Sequence, residues 1–293
     1  MASAPLLAPQ ERIIPVSSAG LVPAISSGVA IRTFVSSACG ATAFSTFLAI
    51  FEPDGRLALH QHPVSKALTV VEGEALLQVE GRTYRIGPLD CAHIPAGTPH
   101  AVSNDNPDRE LIVHTAFASA QPTRELVNRE FLIDARGFGD STPNDPENII
   151  RFAKSPAYEL APQAFFTDLF ARRFGAVGIC GGYGRFQPGA SLPCHIHAYD
   201  ESITIIQGSA KCLVHGRQYE LSGCATAYIP EGLPHRFLNQ SNQEMAMIWV
   251  YAGAEPDRQI VDNRYCSGVL SWPGADVVAD TQGPRKKRDN ERL

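Results

Sequence analysis

Short apolar runs, each closed by a turn signal, dominate the chain, and their large residues alternate with a period of two. Ser202-Ile-Thr-Ile-Ile-Gln207 is rich in β-branched residues and stops at Gly208, the composition of a strand and its turn. Val214-His-Gly-Arg217 places glycine where a hairpin wants a positive φ. Residues 225–229 lead into the turn Pro230-Glu-Gly232, and Met245-Ala-Met-Ile-Trp-Val-Tyr251 alternates large side chains with smaller ones. The same layout occurs earlier, at residues 68–71, 79–82, 92–94 and 111–117. Short strands at even spacing predict an all-β fold of closed or sandwiched antiparallel sheets.

The two halves are copies. A constant offset of 135 positions relates His60 to His195, His62 to His197, Gly73 to Gly208 and Tyr84 to Tyr219. It also relates Pro95 to Pro230, Pro99-His100 to Pro234-His235 and Asn104 to Asn239, with no insertion between positions 51 and 104. Self-similarity at a fixed period signals a repeated structural unit. It divides the chain into an N-terminal domain (1–125), a linker (126–165), a C-terminal domain (166–270) and a tail (271–293). In the linker, Ser141-Thr-Pro-Asn-Asp-Pro146 and Ser155-Pro156 have coil chemistry. Residues 165–174 fit either one or two turns of helix or an edge strand.

His195-Ile-His197 puts two imidazoles on one face of a strand. Glu201 keeps the same parity after a short bend, and His235 arrives from a later hairpin. Three imidazoles and a carboxylate suit Fe, Mn, Ni, Cu or Zn better than Ca or Mg, with a position or two left open for other ligands. Gly189, His195-x-His197, Glu201 and Gly208, followed by Pro230-x-Gly232-x-x-His235-x-x-x-Asn239, together resemble both sequence motifs of the cupin superfamily. One departure stands out: Gly223 sits one place early, and Cys224 occupies the position of the opening glycine of the second motif.

The resemblance implies two tandem cupin barrels of jelly-roll, double-stranded β-helix type. It also implies metal roles for His195, His197, Glu201 and His235, with one divalent transition metal (Fe, Mn, Ni or Zn) per chain. Met245, Met247, Trp249, Tyr251 and Phe237 are expected in the barrel core, the alternative being the lining of a pocket for an aromatic or apolar substrate, and Cys194 and Tyr199 are expected to pack beside the ligands. His215 belongs at an exposed hairpin tip.

In the first copy the matching residues are His60, His62, Lys66 and His100, with Lys66 in place of the carboxylate and Leu89 in place of the motif glycine. Two outcomes stay open there. Either the histidines are hydrogen-bonded inside a purely structural barrel, or a weaker three-histidine metal site survives, with Lys66 neutral, turned away or touching an anionic substrate. His93 and His114 add polar groups to this half.

A net charge of -5 and a pI near 6.0 argue against a nucleic-acid surface. Seven cysteines without a C-x-x-C pair, in a chain of 293 residues, fit reduced thiols in the cytoplasm better than a disulfide framework. No apolar run approaches the roughly 20 residues that cross a bilayer. The first ten residues lack the basic start of a secretory signal. Arg285-Lys286-Lys287-Arg288 reads as part of a solvated tail.

The spacing of the copies resembles that of bacterial bicupins with ring-cleaving or C–C-cleaving dioxygenase activity, such as the gentisate and quercetin enzymes. The leading expectation is therefore an Fe(II)- or Mn(II)-dependent dioxygenase acting on a small organic substrate, aromatic or dicarbonyl, at the C-terminal barrel. The alternatives are a redox-neutral isomerase, decarboxylase or hydrolase, and a non-enzymatic ligand-binding bicupin. The last is weakened because no helix-turn-helix extension is apparent. The partner expected is a small molecule, not nucleic acid or membrane, and the resemblance allows a homo-oligomer.

Overall fold

The computed structural model describes residues 10–22, 26 and 28–273. The alternating strands form two barrels, each from a seven-stranded sheet facing a five-stranded one, with every pairing antiparallel. In the first barrel the central strands of the larger sheet are Lys66–Glu72, Leu111–Phe117 and Ser45–Phe51. In the second they are Glu201–Gln207, Met245–Tyr251 and Cys180–Phe186. Among the described residues the one α-helix is a single turn, Asn263–Cys266, and no helix is long and apolar enough to cross a membrane.

The central strands are buried on both faces, which explains their near-continuous apolar character. Met245, Met247, Trp249 and Tyr251 join Phe186, Ile203, Ile205 and Phe237 inside the second barrel. The intervening Ala246, Ile248 and Val250 face the other way, into a core shared with Leu48, Ala67 and Ala116 of the first barrel. The first barrel has its own interior around Phe51, Leu68, Val70, Leu77 and Val113. A polar seam crosses the joint: Thr46 and Ser202 hydroxyls lie 3.2 Å apart, and Thr204 lies 3.4 Å from the buried His114.

Strand exchange ties the barrels together. Arg12–Ile14, ahead of the first barrel, pairs with Thr226–Ile229 of the second. Asn148–Ile150, ahead of the second, pairs with Cys91–Ile94 of the first. Each exchanged strand follows a buried glutamate. Glu11 accepts hydrogen bonds from Arg217 and from Tyr219, the latter at 2.9 Å. Glu147 accepts from Arg82 at 2.6 and 2.8 Å and from Tyr84. Arg82 and Tyr84 are the repeat equivalents of Arg217 and Tyr219, so the duplicated unit extends to Glu-x-Ile-Ile at 11–14 and 147–150.

The hairpin turns match the pattern: Glu80-Gly81 and His215-Gly216 both take positive φ, and His215 is half-buried at its tip rather than fully exposed. Leu89 and Cys224, which replace the motif glycines, have φ of 65° and 63°. Each non-glycine residue held there costs about 1 kcal/mol, which is the physical reason a glycine suits the position. Residues 165–174 resolve as the strand Ala164–Phe170 and a 3₁₀ turn, Arg172–Phe174. The expectation of reduced thiols fails for one pair: Cys194 and Cys266 form a disulfide, while Cys39, Cys91, Cys180, Cys212 and Cys224 remain free. Spacing hides this bond because its partners lie 72 residues apart. The Arg285–Arg288 cluster lies outside the described residues.

Candidate metal centre

Antiparallel pairing sets His195 directly opposite His235. The strand His195–Ile196 ends just before His197, and a bend returns the chain as Glu201–Gln207. All four side chains are buried in the second barrel, and one ligand atom from each lies within 4.8 Å of the others. Ring centroids are 4.9 Å apart for His195 and His197 and 4.4 Å apart for His195 and His235.

Each imidazole is oriented from behind. Nδ1 of His195 donates to the Pro193 carbonyl at 2.8 Å, that of His235 to Leu233 at 2.9 Å, and that of His197 to Asp257. A carbonyl oxygen can only accept, so the proton sits on Nδ1 and the Nε2 lone pair faces inward. Burial, then the neighbouring His235 and His197, hold His195 well below the usual imidazole range, keeping it neutral. Burial alone would raise Glu201, but the attraction of the facing His197 and His235 outweighs it, so the carboxylate is anionic wherever positive charge is held at their Nε2 atoms.

This creates a conflict that a cation resolves. His235 Nε2 is 2.8 Å from Glu201 Oε2, and His197 Nε2 is 3.4 Å from the same oxygen. Unless a second ring proton or a metal ion sits between them, lone pairs meet lone pairs, and all three atoms are buried without a hydrogen-bond partner. Orphaned buried acceptors converging at one point are costly unless something positive sits among them. The donor set, three imidazoles and a carboxylate, fits a divalent transition metal.

Several supporting residues escape a reading of local motifs. Residues 257–266 form a brace behind the site. Asp257 supplies the carbonyl for His197 and its carboxylate accepts from the Ala198 amide at 3.0 Å. Gln259–Ile260 pairs with His195–Ile196, Asn263 accepts from the Cys194 amide at 2.8 Å, and the disulfide fastens Cys194 to the helix. The first barrel holds a counterpart, where Thr123 supplies the carbonyl for His62 at 2.7 Å. Tyr199 packs under Gly253, where any Cβ would meet its ring at 2.5 Å. The wall next to the site is aromatic: Tyr251 lies 4.4 Å from the His197 ring and 5.0 Å from Trp249. Burial and the Glu201 charge push the Tyr251 phenol well above its usual range. Trp249 Nε1 is buried without an acceptor.

The first barrel reproduces the imidazole cluster without the carboxylate. His60, His62 and His100 are buried together, with Nδ1 bound to the carbonyls of Ala58, Thr123 and Thr98 at 2.7, 2.7 and 2.9 Å. Lys66 is not turned away. Its Nζ points inward, 3.0 Å from His100 Nε2. Burial and then Lys66 lower His60 to about 2 and His62 to about 3. Burial, then Arg124, lowers Lys66 to about 7.

Comparison with known proteins agrees with this architecture. The cupin domain family matches twice, at residues 47–116 and 182–251. The fold is similar to oxalate decarboxylase from Lactobacillus farciminis in its formate complex, at 16% identity over 89% of this chain and 90% of that one, with a TM-score of 0.68. It is also similar to oxalate decarboxylase from Bacillus subtilis at pH 4.6, at 13% identity over 85% and 78%, TM-score 0.66. A structure of the Bacillus subtilis enzyme that concerns its Mn(II) centres matches at 14% identity over 94% and 89%, TM-score 0.67. At such identities the likeness speaks for the fold alone. No curated protein matches the chain by sequence.

Proposed function

Because the chain is a bicupin of the cupin superfamily, we propose that it is a metal-dependent enzyme whose C-terminal barrel acts on a small organic substrate. His195, His197, Glu201 and His235 hold one divalent transition metal, of the group Fe, Mn, Ni and Zn. The observation that carries this reading is the 2.8 Å approach of His235 Nε2 to Glu201 Oε2. A bound ion of this kind supplies a Lewis acid with open positions for substrate oxygen and, if redox-active, for dioxygen.

The protein's own groups define what the site does with a substrate. The carbonyls behind the three imidazoles fix the direction of each donor. Glu201 stays ionised, whereas Tyr251 keeps its proton and can donate it in a hydrogen bond. Phe237, Met247 and Trp249 belong to the same buried cluster and exclude water, and Trp249 Nε1 offers a spare donor. An apolar, aromatic wall suits an aromatic or dicarbonyl substrate that chelates through oxygen.

Within this class, a dioxygenase is the reaction we favour. Adding both atoms of dioxygen to a substrate needs little proton traffic, and the phenol and thiols near Glu201 are held to high pKa. The redox-neutral alternative, a decarboxylase, draws on the shared fold with oxalate decarboxylases. Metal-loaded protein offered gentisate, quercetin and oxalate in an oxygen-electrode cell separates the two. Uptake of one dioxygen per substrate consumed supports the dioxygenase. Turnover that continues unchanged without oxygen, with carbon dioxide released, rules it out in favour of the decarboxylase.

A further inference from the structure

The Lys66 site inverts the charge of its twin. In the second barrel three imidazoles and a carboxylate await a cation. In the first, three imidazoles surround the Lys66 amine, about half ammonium near pH 7, and Arg124 lies close enough to act electrostatically on Lys66, His60 and His62. These groups border a cavity of about 160 Å³, and no carboxylate is among the described residues lining it. Its remaining wall is largely apolar, with Ile31, Phe47, Leu57 and Phe117.

We propose that the N-terminal barrel is a binding site for a small organic carboxylate, held between Lys66 and Arg124 with its hydrocarbon part against Phe47 and Phe117.

The imidazoles themselves repel an anion, because their inward Nε2 atoms carry lone pairs while each Nδ1–H donates to a backbone carbonyl. Those lone pairs instead suit the Lys66 ammonium, which spends one N–H on His100 and rests 5.4 Å from the Phe117 ring. The ammonium thus stands where a metal ion would, and its remaining N–H groups are left for a ligand on the cavity side. A metal ion is disfavoured in the same place because it would face a buried like charge. Lys66 and Arg124 border the same cavity, and a carboxylate between them can accept charge-assisted hydrogen bonds from both. Size agrees as well. A dry cavity of about 150 Å³ accommodates benzene, so a short chain or single ring fits here with its acid group toward Arg124.

Isothermal titration of full-length, metal-loaded protein with sodium benzoate tests this, with benzamide as the neutral isostere. Benzoate should bind once per chain at millimolar affinity or better, and benzamide at least about tenfold more weakly. Lys66→Met keeps the bulk but removes the charge, and should weaken benzoate by about tenfold or more. Arg124→Gln should do the same, and because this residue is only partly buried it keeps the test sound if the first variant folds poorly. Glu201→Ala, which strips the other barrel of its metal, should bind benzoate as the wild type does. The proposal is overturned if benzoate fails to bind up to about 10 mM or binds no better than benzamide. It is equally overturned if either cation variant keeps wild-type affinity, or if binding vanishes with Glu201→Ala.

Discussion

Glu201 Oε2 lies 2.8 Å from His235 Nε2, an approach that calls for a positive charge, proton or metal ion, between the two atoms. At the same position of the other barrel, Lys66 Nζ lies 3.0 Å from His100 Nε2 and donates to it. One residue therefore decides what each cluster of three imidazoles can accept: the carboxylate leaves a vacancy for positive charge, and the lysine fills it.

Exchanging that residue should transfer the property. Lys66→Glu restores a carboxylate at the position equivalent to Glu201, with the three histidines already held by Ala58, Thr123 and Thr98. Equilibrium dialysis against Mn(II) or Zn(II) is expected to show a second ion per chain. A count that stays at the wild-type value contradicts the equivalence of the two sites.

Acid should destabilise the fold from about pH 6.5 downward. Burial lowers His93 and His114 from 6.5 to about 4. Between those values the unfolded chain takes up protons that the folded chain refuses, so these two histidines lower stability as pH falls through the window, and their contribution levels off below about 4. His114 contacts Thr204 across the barrel joint, and His114→Gln should flatten the slope of Tm against pH. An unchanged slope would mean that His114 does not titrate in this way.

The exchanged strands depend on their glutamates. Glu147→Ala would leave Arg82 and Tyr84 facing a buried void. Breaking such a pair costs about 3 kcal/mol or more. Urea denaturation should show that loss, and Arg82→Ala should give a comparable one. A change below about 0.5 kcal/mol in either would show that the pair is not anchoring the strand.

The disulfide should matter to metal affinity more than to fold. Residues 257–266 brace His197 and His195 from behind, and Cys266 ties that segment to Cys194. Losing an outer support of a metal ligand costs about 10-fold to 100-fold in affinity. Cys266→Ser is expected to weaken metal binding in that range in a competition assay with a chromogenic chelator. Unaltered affinity would separate the brace from the site.

Local pattern reveals those features whose partners lie close in sequence. The alternation in Ser202–Gln207 and the turn at His215-Gly216 each carry their own signal, and the four metal-site residues fall within two short motifs. The strand Ala164–Phe170 is different: it is buried on most positions, so neither a period of two nor one of 3.6 emerges. Features made by distant segments stay hidden for another reason. The pairing of Arg12 with Tyr228, the carbonyl of Asp257 behind His197, and the bond between Cys194 and Cys266 depend on how the chain returns. Nothing in either partner's neighbourhood encodes that. The repeated Glu-x-Ile-Ile at 11–14 and 147–150 is the signal that would have exposed the strand exchange. The inward aim of Lys66 required the structure outright, since a flexible lysine has rotamers leading either way.

Elemental analysis of protein purified without chelators tests the central claim most directly. Wild-type chain and Lys66→Met should each carry about one divalent transition-metal ion. Glu201→Ala and His197→Ala should carry almost none while their circular dichroism stays that of a folded β protein. Metal retained at the wild-type level by both ligand variants would contradict the assignment.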